Sequence, residues 1–136
     1  ECDEGQVWEM ALFAAQQKLD HLIAFVDLNR QQLDGYTDEI LALGDLRRKF
    51  EDFGWHAVEV DGHDVSAIHD AIEDAKSRAG VPSMIVLDTV KGKGWSVTEG
   101  RTGIHHIPIT PEQAAAAKKE LGAQISALQA KLQEVC

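Results

Sequence analysis

The stretch that decides the fold of this chain is LIAFVDLN, at residues 22–29. Its first five residues form a continuous apolar run, which is typical of a strand buried on both faces of a parallel sheet. Asp27 and Asn29 then introduce polar groups, and Asp34 followed by Gly35 marks a turn. We therefore predict a buried parallel strand at residues 22–26 with polar side chains at its carboxyl end.

Two further strands are predicted downstream of this run. Residues 83–90 contain a second continuous apolar run, MIVL at 84–87, which predicts another buried strand. Over residues 55–60 the side chains at odd positions form one set and those at even positions another, and the segment ends at Asp61-Gly62. This period of two predicts a third strand.

A helix is predicted before each strand, because apolar residues recur at intervals of three and four over residues 4–19, 45–53 and 64–79. Asp3 and Asp64 can cap the first and third of these helices, and Gly54 can end the second. The threefold alternation of helix and strand predicts an α/β fold. We expect a doubly wound, mainly parallel sheet with helices on both faces.

A long final helix is predicted from Thr110 as the cap, with Pro111 at its first position and Gln113 three residues past the cap. We assign residues 1–110 to an α/β domain and residues 111–136 to a C-terminal helix of the same domain. The apolar positions of this helix form a stripe that is expected to pack on another surface: Leu121, Ile125, Leu128 and Leu132.

The charge balance argues against nucleic acid as a partner. The 136 residues include 23 acidic and 13 basic side chains, giving a formal net charge of −10. Binding to a polyanion requires clustered Lys and Arg, so such a surface repels it. A small phosphorylated ligand remains compatible, because it requires only a local site of backbone N–H groups, one cationic side chain or a metal ion.

The sequence gives no indication of a membrane span or a leader. No apolar run approaches the roughly 20 residues of a membrane helix, and no basic segment precedes a hydrophobic stretch. We therefore expect a cytoplasmic protein without a membrane partner. Cys2 and Cys136 are expected to be free thiols of a reduced compartment, and a bridge between them stays open if the two ends meet.

Candidate ligand-binding residues follow the first strand, because ligands of open α/β sheets gather at the carboxyl ends of the strands. The amide oxygen of Asn29 and the backbone carbonyl of Gln31 are the kind of ligands that Mg²⁺ and Ca²⁺ take. A simple turn role for Asn29 is the alternative.

The other two strand ends offer weaker candidates. Lys91 and Lys93, in a Gly-rich loop, can either bind a diphosphate or be solvated. His105 or the neighbouring His106 can contact a phosphate or a sugar, or equally be a solvated loop histidine. For the sequence DGHD at 61–64 we favour a strand-ending turn followed by a helix cap over a metal site.

Taken in order, these segments resemble the transketolase family. The likeness covers nearly the whole chain and is closest to the two-gene transketolases, whose cofactor-binding half is a separate subunit. The resemblance implies the second part of a thiamine-diphosphate-binding α/β domain. The segments that carry it are EGQVWE at 4–9, KLDHLIAFVDLN at 18–29, QLDG at 32–35, FGW at 53–55, VDGHD at 60–64, TVKGKG at 89–94 and residues 105–113.

The resemblance also implies a set of site residues. Asn29 would bind a divalent metal, Mg²⁺ or Ca²⁺, through its side chain, and Gln31 would bind it through its carbonyl oxygen. Lys91 and His105 match family positions near the diphosphate of thiamine diphosphate. His105 also lies near the hydroxyls of the sugar and is the catalytic residue of the set. Glu4 matches an acidic residue close to the cofactor, is counted with the cofactor-binding residues, and would join a hydrogen-bonded carboxylate network that links paired active sites.

The implied reaction is the transfer of a two-carbon ketol unit from a ketose phosphate to an aldose phosphate. The cofactor performs the chemistry, and the protein supplies orientation and electrostatics. The implied partner is a complementary pyrimidine-binding domain or subunit, in a dimer or heterotetramer, and Glu9 matches an acidic residue near that interface.

One part of the family pattern is not present in these residues. The Gly-Asp-Gly motif, whose Asp is a metal ligand, would end just before Glu1. We therefore expect residues 1–136 alone to bind the cofactor weakly or not at all and to be inactive. The alternatives are another thiamine-diphosphate enzyme, nearest a pyruvate-dehydrogenase-type component, and a non-catalytic α/β interaction module.

Overall fold

The computed structural model describes the backbone of residues 1–135 and the side chains of residues 1–133. The chain divides into two compact units, Glu1–Thr89 and Val90–Cys136. Cys2 in the first unit is a half-buried free thiol, whereas Cys136, and with it a bridge between the two cysteines, lies outside the described residues.

The first unit is built on a parallel sheet of three strands in the order β1-β3-β2. The α/β class and the parallel sheet are thus confirmed. The strands are in register, so that Leu28, Asp88 and Asp61 end them at the same edge. Their bounds are β1 Ile23–Leu28, β2 His56–Asp61 and β3 Ser83–Asp88, and those of the helices are α1 Gly5–Gln16, α2 Thr37–Ile40, α3 Leu46–Asp52, α4 Val65–Lys76 and α5 Pro111–Val135.

The central strand is β3, and burial follows from that position. Ile85 and Val86 have no exposed area, so β3 is covered on both faces. β1 is an edge of the described sheet, and Phe25 in its middle remains 47% exposed. The prediction of a doubly buried strand was therefore right for residues 84–86, whereas Leu87 is half-buried. It was wrong for residues 22–26, because apolar content does not determine strand order.

Helices cover both faces of the sheet, as predicted. α1 and α3 pack on one face in a cluster that includes Ala11, Phe50 and Met84, and the indole N–H of Trp55 donates to the Ala11 carbonyl at 2.9 Å. α4 packs against the strands on the opposite face. Ile85 points to that face, because successive side chains of a strand alternate.

The helix ends show which capping predictions hold. The Asp64 carboxylate accepts the N–H groups of Ser66 and Ala67 at 2.9 and 3.1 Å, which confirms the cap of α4. The predicted Asp3 cap of α1 is wrong, since the N-cap residue is Glu4 and no side-chain hydrogen bond caps this end. Asp3 instead accepts a hydrogen bond from the Gln32 amide. The short helix α2 was not predicted.

The second unit consists of a loop over residues 90–110 followed by α5. The predicted capping box is confirmed: Thr110 Oγ1 accepts the Gln113 N–H at 3.2 Å, and Gln113 Oε1 accepts the Thr110 N–H at 2.9 Å. Glu120 anchors the helix to this loop, because its carboxylate accepts the backbone N–H and the hydroxyl of Ser96 at 2.9 and 2.8 Å.

The apolar stripe of α5 faces solvent beyond this anchor. Its exposed fractions rise from 40% at Leu121 to 65% at Leu132, whereas the sequence predicted that the stripe packs on another surface. The assignment of residues 111–136 to one domain with the rest stays a prediction. Among the helices of residues 1–135, none combines the length and apolar character that a membrane span requires.

Candidate cofactor and metal site

The loop after β1 fixes the side chain of Asn29 between two hydrogen bonds. The amide nitrogen of Asn29 donates to Asp27 Oδ2 at 3.0 Å, and its Oδ1 accepts the backbone N–H of Gln31 at 2.9 Å. Asn29 is half-buried. The turn role that was the alternative for Asn29 is therefore confirmed. The oxygen that accepts the hydrogen bond of this turn, Asn29 Oδ1, is also the oxygen that a metal would use.

Arg30 holds the same loop in an unusual backbone conformation. Its φ of 60° lies in the left-handed region, which few residues other than Gly adopt. Its guanidinium Nη1 lies 2.5 Å from Asp88 Oδ1. The hydrogen bond from Arg30 holds the pKa of the Asp88 carboxyl below its ordinary range. This ion pair ties the loop to the end of the central strand.

The backbone of Gln31 is oriented by an antiparallel bridge to Tyr36. The hydrogen bonds of this bridge flank the pair: the Gln32 N–H donates to the Gly35 carbonyl at 2.8 Å, and the Thr37 N–H donates to the Arg30 carbonyl at 3.0 Å. In such a pair the N–H and C=O of the paired residues point away from the partner strand. The Gln31 carbonyl therefore lies on the side of its N–H, which is the side of the Asn29 amide oxygen.

A cavity of about 360 Å³ opens at this end of β1, within the first unit. Asp27, Asn29 and Gln31 line it from the strand end, and Asp3 lines it from the chain start. Its apolar side includes Met10. The two residues predicted to bind the metal thus face one cavity, as a shared ion requires.

The donor chemistry of this loop fits a hard cation. Mg²⁺ and Ca²⁺ take amide and backbone carbonyl oxygens together with carboxylate and phosphate oxygens. Asn29 Oδ1 and the Gln31 carbonyl are two such oxygens on one side of the loop. Over the described residues, three or more His, Cys, Asp or Glu side chains do not converge into a metal-binding group.

The other predicted site residues fall in both units. Glu4 is exposed at the N-cap position that precedes α1. Lys91, in the second unit, is half-buried, and its carbonyl accepts the Gly100 N–H at 2.8 Å. His105 and His106 are both exposed in the loop that precedes α5. The structure thus brings Asn29 and Gln31 together, and the roles of the remaining residues stay predictions.

Two weaker candidates have local roles. Lys93 forms an ion pair with Glu99 at 2.7 Å, and its side chain remains about half exposed. In the DGHD segment, Asp61 Oδ1 accepts the His63 N–H at 2.8 Å. Together with the Asp64 cap, this confirms the predicted turn followed by a helix start.

Two residues of this hydrogen-bonded network, Asp27 and Thr89, were not identified as site residues from the sequence. Asp27 lies two residues before Asn29, and residues two apart in a strand lie on one face, so the Asp-x-Asn pattern was a usable signal. The other oxygen of Asp27 accepts the hydroxyl of Thr89. Thr89 is 62 residues away along the chain and gave no local signal.

Comparison with known proteins identifies the family. The family model of the transketolase thiamine diphosphate-binding domain matches residues 1–134. The chain belongs to the transketolase family. The fold and the family resemblance inferred from the motifs are therefore both confirmed.

Relatives of this transketolase-family chain include proteins named as transketolase subunits. It is 51% identical over 121 residues to the 6-deoxy-6-sulfo-D-fructose transketolase subunit SqwG of a Clostridium species, covering 89% of this chain and 44% of that relative. It is 40% identical over 121 residues to one of the subunits of the apulose-4-phosphate transketolase of Actinobacillus succinogenes, with the same coverage of 89% and 44%. The chain thus spans somewhat less than half the length of these curated relatives.

A solved transketolase shares the fold of this family member. The transketolase of Campylobacter jejuni superposes with a TM-score of 0.81 at 29% identity, over 88% of this chain and 19% of that one. The α/β arrangement described above is therefore that of a transketolase domain.

Proposed function

We propose that this chain forms the metal- and diphosphate-binding part of the cofactor site in a transketolase that transfers a two-carbon ketol unit from a ketose phosphate to an aldose phosphate. The observation that supports it is the placement of two oxygen donors, Asn29 Oδ1 and the Gln31 carbonyl, on one side of the loop that ends β1. That edge of an α/β sheet is where ligands of such folds bind.

In this proposal Asn29 and Gln31 hold Mg²⁺, or Ca²⁺ in its place. The chain carries a formal charge of −10, so a diphosphate requires a cation to offset the repulsion. Thiamine diphosphate supplies the stabilisation of a carbanion when it is bound. The residues of this chain anchor its diphosphate end and orient it.

The residues of the second unit act on the polar groups around the anchored diphosphate. Lys91 provides a cationic side chain for the diphosphate. The His105 imidazole can donate a hydrogen bond to the diphosphate or to a sugar hydroxyl and is the catalytic residue of the set. Glu4, in the first unit, contributes its carboxylate to the network that links paired sites.

The proposed enzyme also contains a complementary pyrimidine-binding domain or subunit. Two relatives are named as transketolase subunits, which supports a partner subunit. In this proposal the enzyme assembles as a dimer or heterotetramer in the cytoplasm. One of these relatives is named for a sulfo sugar, so the proposed donors comprise ketose phosphates and the sulfonated ketose 6-deoxy-6-sulfo-D-fructose.

Substitution of Asn29 tests this function in the full-length protein assembled with its complementary subunit. For Asn29→Ala we expect at least about tenfold weaker binding of Mg²⁺ with thiamine diphosphate and a matching loss of ketol transfer, because one ligand of the metal is removed. Calorimetry and an assay of ketose and aldose pairs measure the two effects. Gln17→Ala, which removes an exposed amide from the same unit, is the matched control.

The same variant bears on the alternative of a non-catalytic module. If Asn29→Ala binds metal and cofactor as tightly as the parent and retains its activity, the metal role of this loop is wrong. The activity of the assembly then does not depend on this site, and a module role for this chain is favoured. Residues 1–136 tested alone are expected to bind thiamine diphosphate and Mg²⁺ weakly, and micromolar affinity in calorimetry would contradict that expectation.

A further inference from the structure

The amide of Asn29 can adopt only one orientation in this loop. One of its two polar atoms faces the carboxylate of Asp27, which only accepts hydrogen bonds, and the other faces the Gln31 N–H, which only donates. The nitrogen must therefore face Asp27, and the oxygen must face Gln31. The hydrogen-bonding partners, and not the atom labels, determine this assignment.

Asp27 is in turn fixed by the neighbouring strand. Its Oδ1 accepts the hydroxyl of Thr89, and its Oδ2 accepts the Asn29 amide. β1 and β3 are parallel neighbours with Leu28 opposite Asp88, so Thr89, the next residue, lies just beyond the end of the paired strands. The Thr89 N–H also donates to the Leu28 carbonyl at 3.3 Å. The carboxylate of Asp27 is thus held by donors on both of its oxygens.

We propose that Asp27, held by Thr89, is a positioning residue that keeps the oxygen of Asn29 turned toward the metal. This inference rests on the proposed function of Asn29. Without the Asp27 acceptor, only the Gln31 N–H still favours this orientation. A rotation of the Asn29 amide by half a turn then costs less, and it presents to the cation an NH₂ group, which repels it. Groups that orient metal ligands in this way commonly change metal affinity by about 10- to 100-fold when they are removed.

A direct bond from Asp27 to the metal is the competing role, because a carboxylate is itself a ligand for hard cations. Asp27→Asn separates the two roles. The oxygen of an Asn at this position can accept the Asn29 NH₂ group and its nitrogen can donate to Thr89, so positioning is retained. A directly coordinating carboxylate would instead lose its charge in this variant.

The experiment measures Mg²⁺ affinity in the presence of thiamine diphosphate, on the full-length protein with its complementary subunit. We expect Asp27→Ala to bind Mg²⁺ about 10- to 100-fold more weakly, and Asp27→Asn to bind it nearly as tightly as the parent. Thr89→Val should weaken binding less than Asp27→Ala but in the same direction. Asp38→Ala, which removes an exposed carboxylate of the nearby helix α2, is the charge-matched control.

A spectroscopic measurement accompanies the affinities. Substituting Mn²⁺ for Mg²⁺ and recording its paramagnetic resonance spectrum reports on the ligand set directly. The spectrum of Asp27→Asn should match that of the parent, and the spectrum of Asp27→Ala should differ.

Three results would overturn an assignment, and each overturns a different one. Parent-like affinity in Asp27→Ala would show that Asp27 does not orient Asn29. Equal weakening of Mg²⁺ binding in Asp27→Asn and Asp27→Ala would indicate that Asp27 binds the metal directly. Parent-like affinity in Asn29→Ala would refute the proposed function itself. Thr89→Val and Asp27→Asn keep the test decisive if Asp27→Ala fails to fold.

Discussion

Gly62 lies where the end of β2 meets the end of β3. Its N–H donates to the Asp88 carbonyl at 2.8 Å, and a Cβ at this position would lie 2.4 Å from Thr89 Cγ2 and 3.0 Å from Leu87 Cβ. A side chain here must therefore displace Thr89 and the end of β3, where Leu87 lies. The absence of a side chain at residue 62 is what lets the two strand ends approach.

We predict that Gly62→Ala destabilises the protein by about 1–3 kcal/mol, the usual cost of forcing an extra methyl group into a closely packed position. Urea denaturation followed by circular dichroism measures the change. The control is Gly5→Ala, because no atom lies within 4 Å of a Cβ built there. Equal stability of the two variants would contradict the close approach at residue 62.

The ion pair between Arg30 and Asp88 predicts an acid sensitivity. The pKa of Asp88 in the folded chain is lowered from 3.8, first by the hydrogen bond from Arg30. A carboxyl with a lowered folded pKa adds stability that is present above its unfolded pKa and is lost as the pH falls through the folded value. The parent should therefore lose this contribution below about pH 4.

Asp88→Asn should remove that part of the pH dependence. We expect the difference between the urea midpoints at pH 7 and pH 3 to be smaller in Asp88→Asn than in the parent. Arg30→Ala should reduce this difference in the same way. The double variant should show the same reduction as either single variant, because each of the three variants removes the same ion pair. Additive losses in the double variant would show that the two residues act separately.

At the scale of secondary structure, the caps of α1 and α4 differ in kind. Asp64 accepts two backbone N–H groups at the start of α4, whereas Glu4, at the start of α1, makes no such bond. Asp64→Ala should cost about 1 kcal/mol of unfolding free energy. Glu4→Ala should change it by no more than about 0.5 kcal/mol while impairing ketol transfer.

Denaturation and activity measured on both variants separate these effects. Asp64→Ala is expected to lower stability with activity retained at a temperature where the protein stays folded. A loss of stability in Glu4→Ala as large as that in Asp64→Ala would mean that Glu4 has a structural role that its exposed position does not suggest.

Local patterns were sufficient to predict most elements but not their arrangement. Apolar runs predicted β1 and β3, and the pair Thr110 and Gln113 predicted the start of α5, because these signals lie within a few residues. The four-residue α2 is too short to show a helical period. The order β1-β3-β2 and the edge position of Phe25 depend on contacts between distant segments, which periodicity does not encode.

The site was predictable to the same extent. Asn29 and Gln31 are two residues apart, so their common side of the loop follows from local geometry once a strand is known to end there. The contacts from Thr89 to Asp27 and from Asp88 to Arg30 span 62 and 58 residues. They depend on the register of the sheet, which no local pattern in the sequence specifies.

At the scale of the whole molecule, α1 exposes three large apolar side chains within four residues. Met10 is 38% exposed, Leu12 58% and Phe13 62%. Clustered apolar exposure is typical of interfaces, and the same helix includes Glu9, which the family resemblance places near the subunit interface. We expect α1 to contact the complementary subunit of the proposed enzyme.

Phe13→Asp tests this contact. A charge in a buried interface is costly without a partner, so we expect association with the complementary subunit to weaken by at least about tenfold, as measured by analytical ultracentrifugation. Val65→Asp is the control, because Val65 on α4 is 80% exposed. Equal weakening by both substitutions would indicate a general effect of added charge.

The position of β3 in the middle of the sheet has a consequence for synthesis of the protein on the ribosome. Both described ladders, β1 with β3 and β2 with β3, require the last strand to be made. In the nascent chain, β1 and β2 therefore remain unpaired with β3 until residue 83 has emerged. Slow translation through residues 62–82 should lengthen that interval and raise the demand for chaperones, since unpaired strands are prone to aggregate.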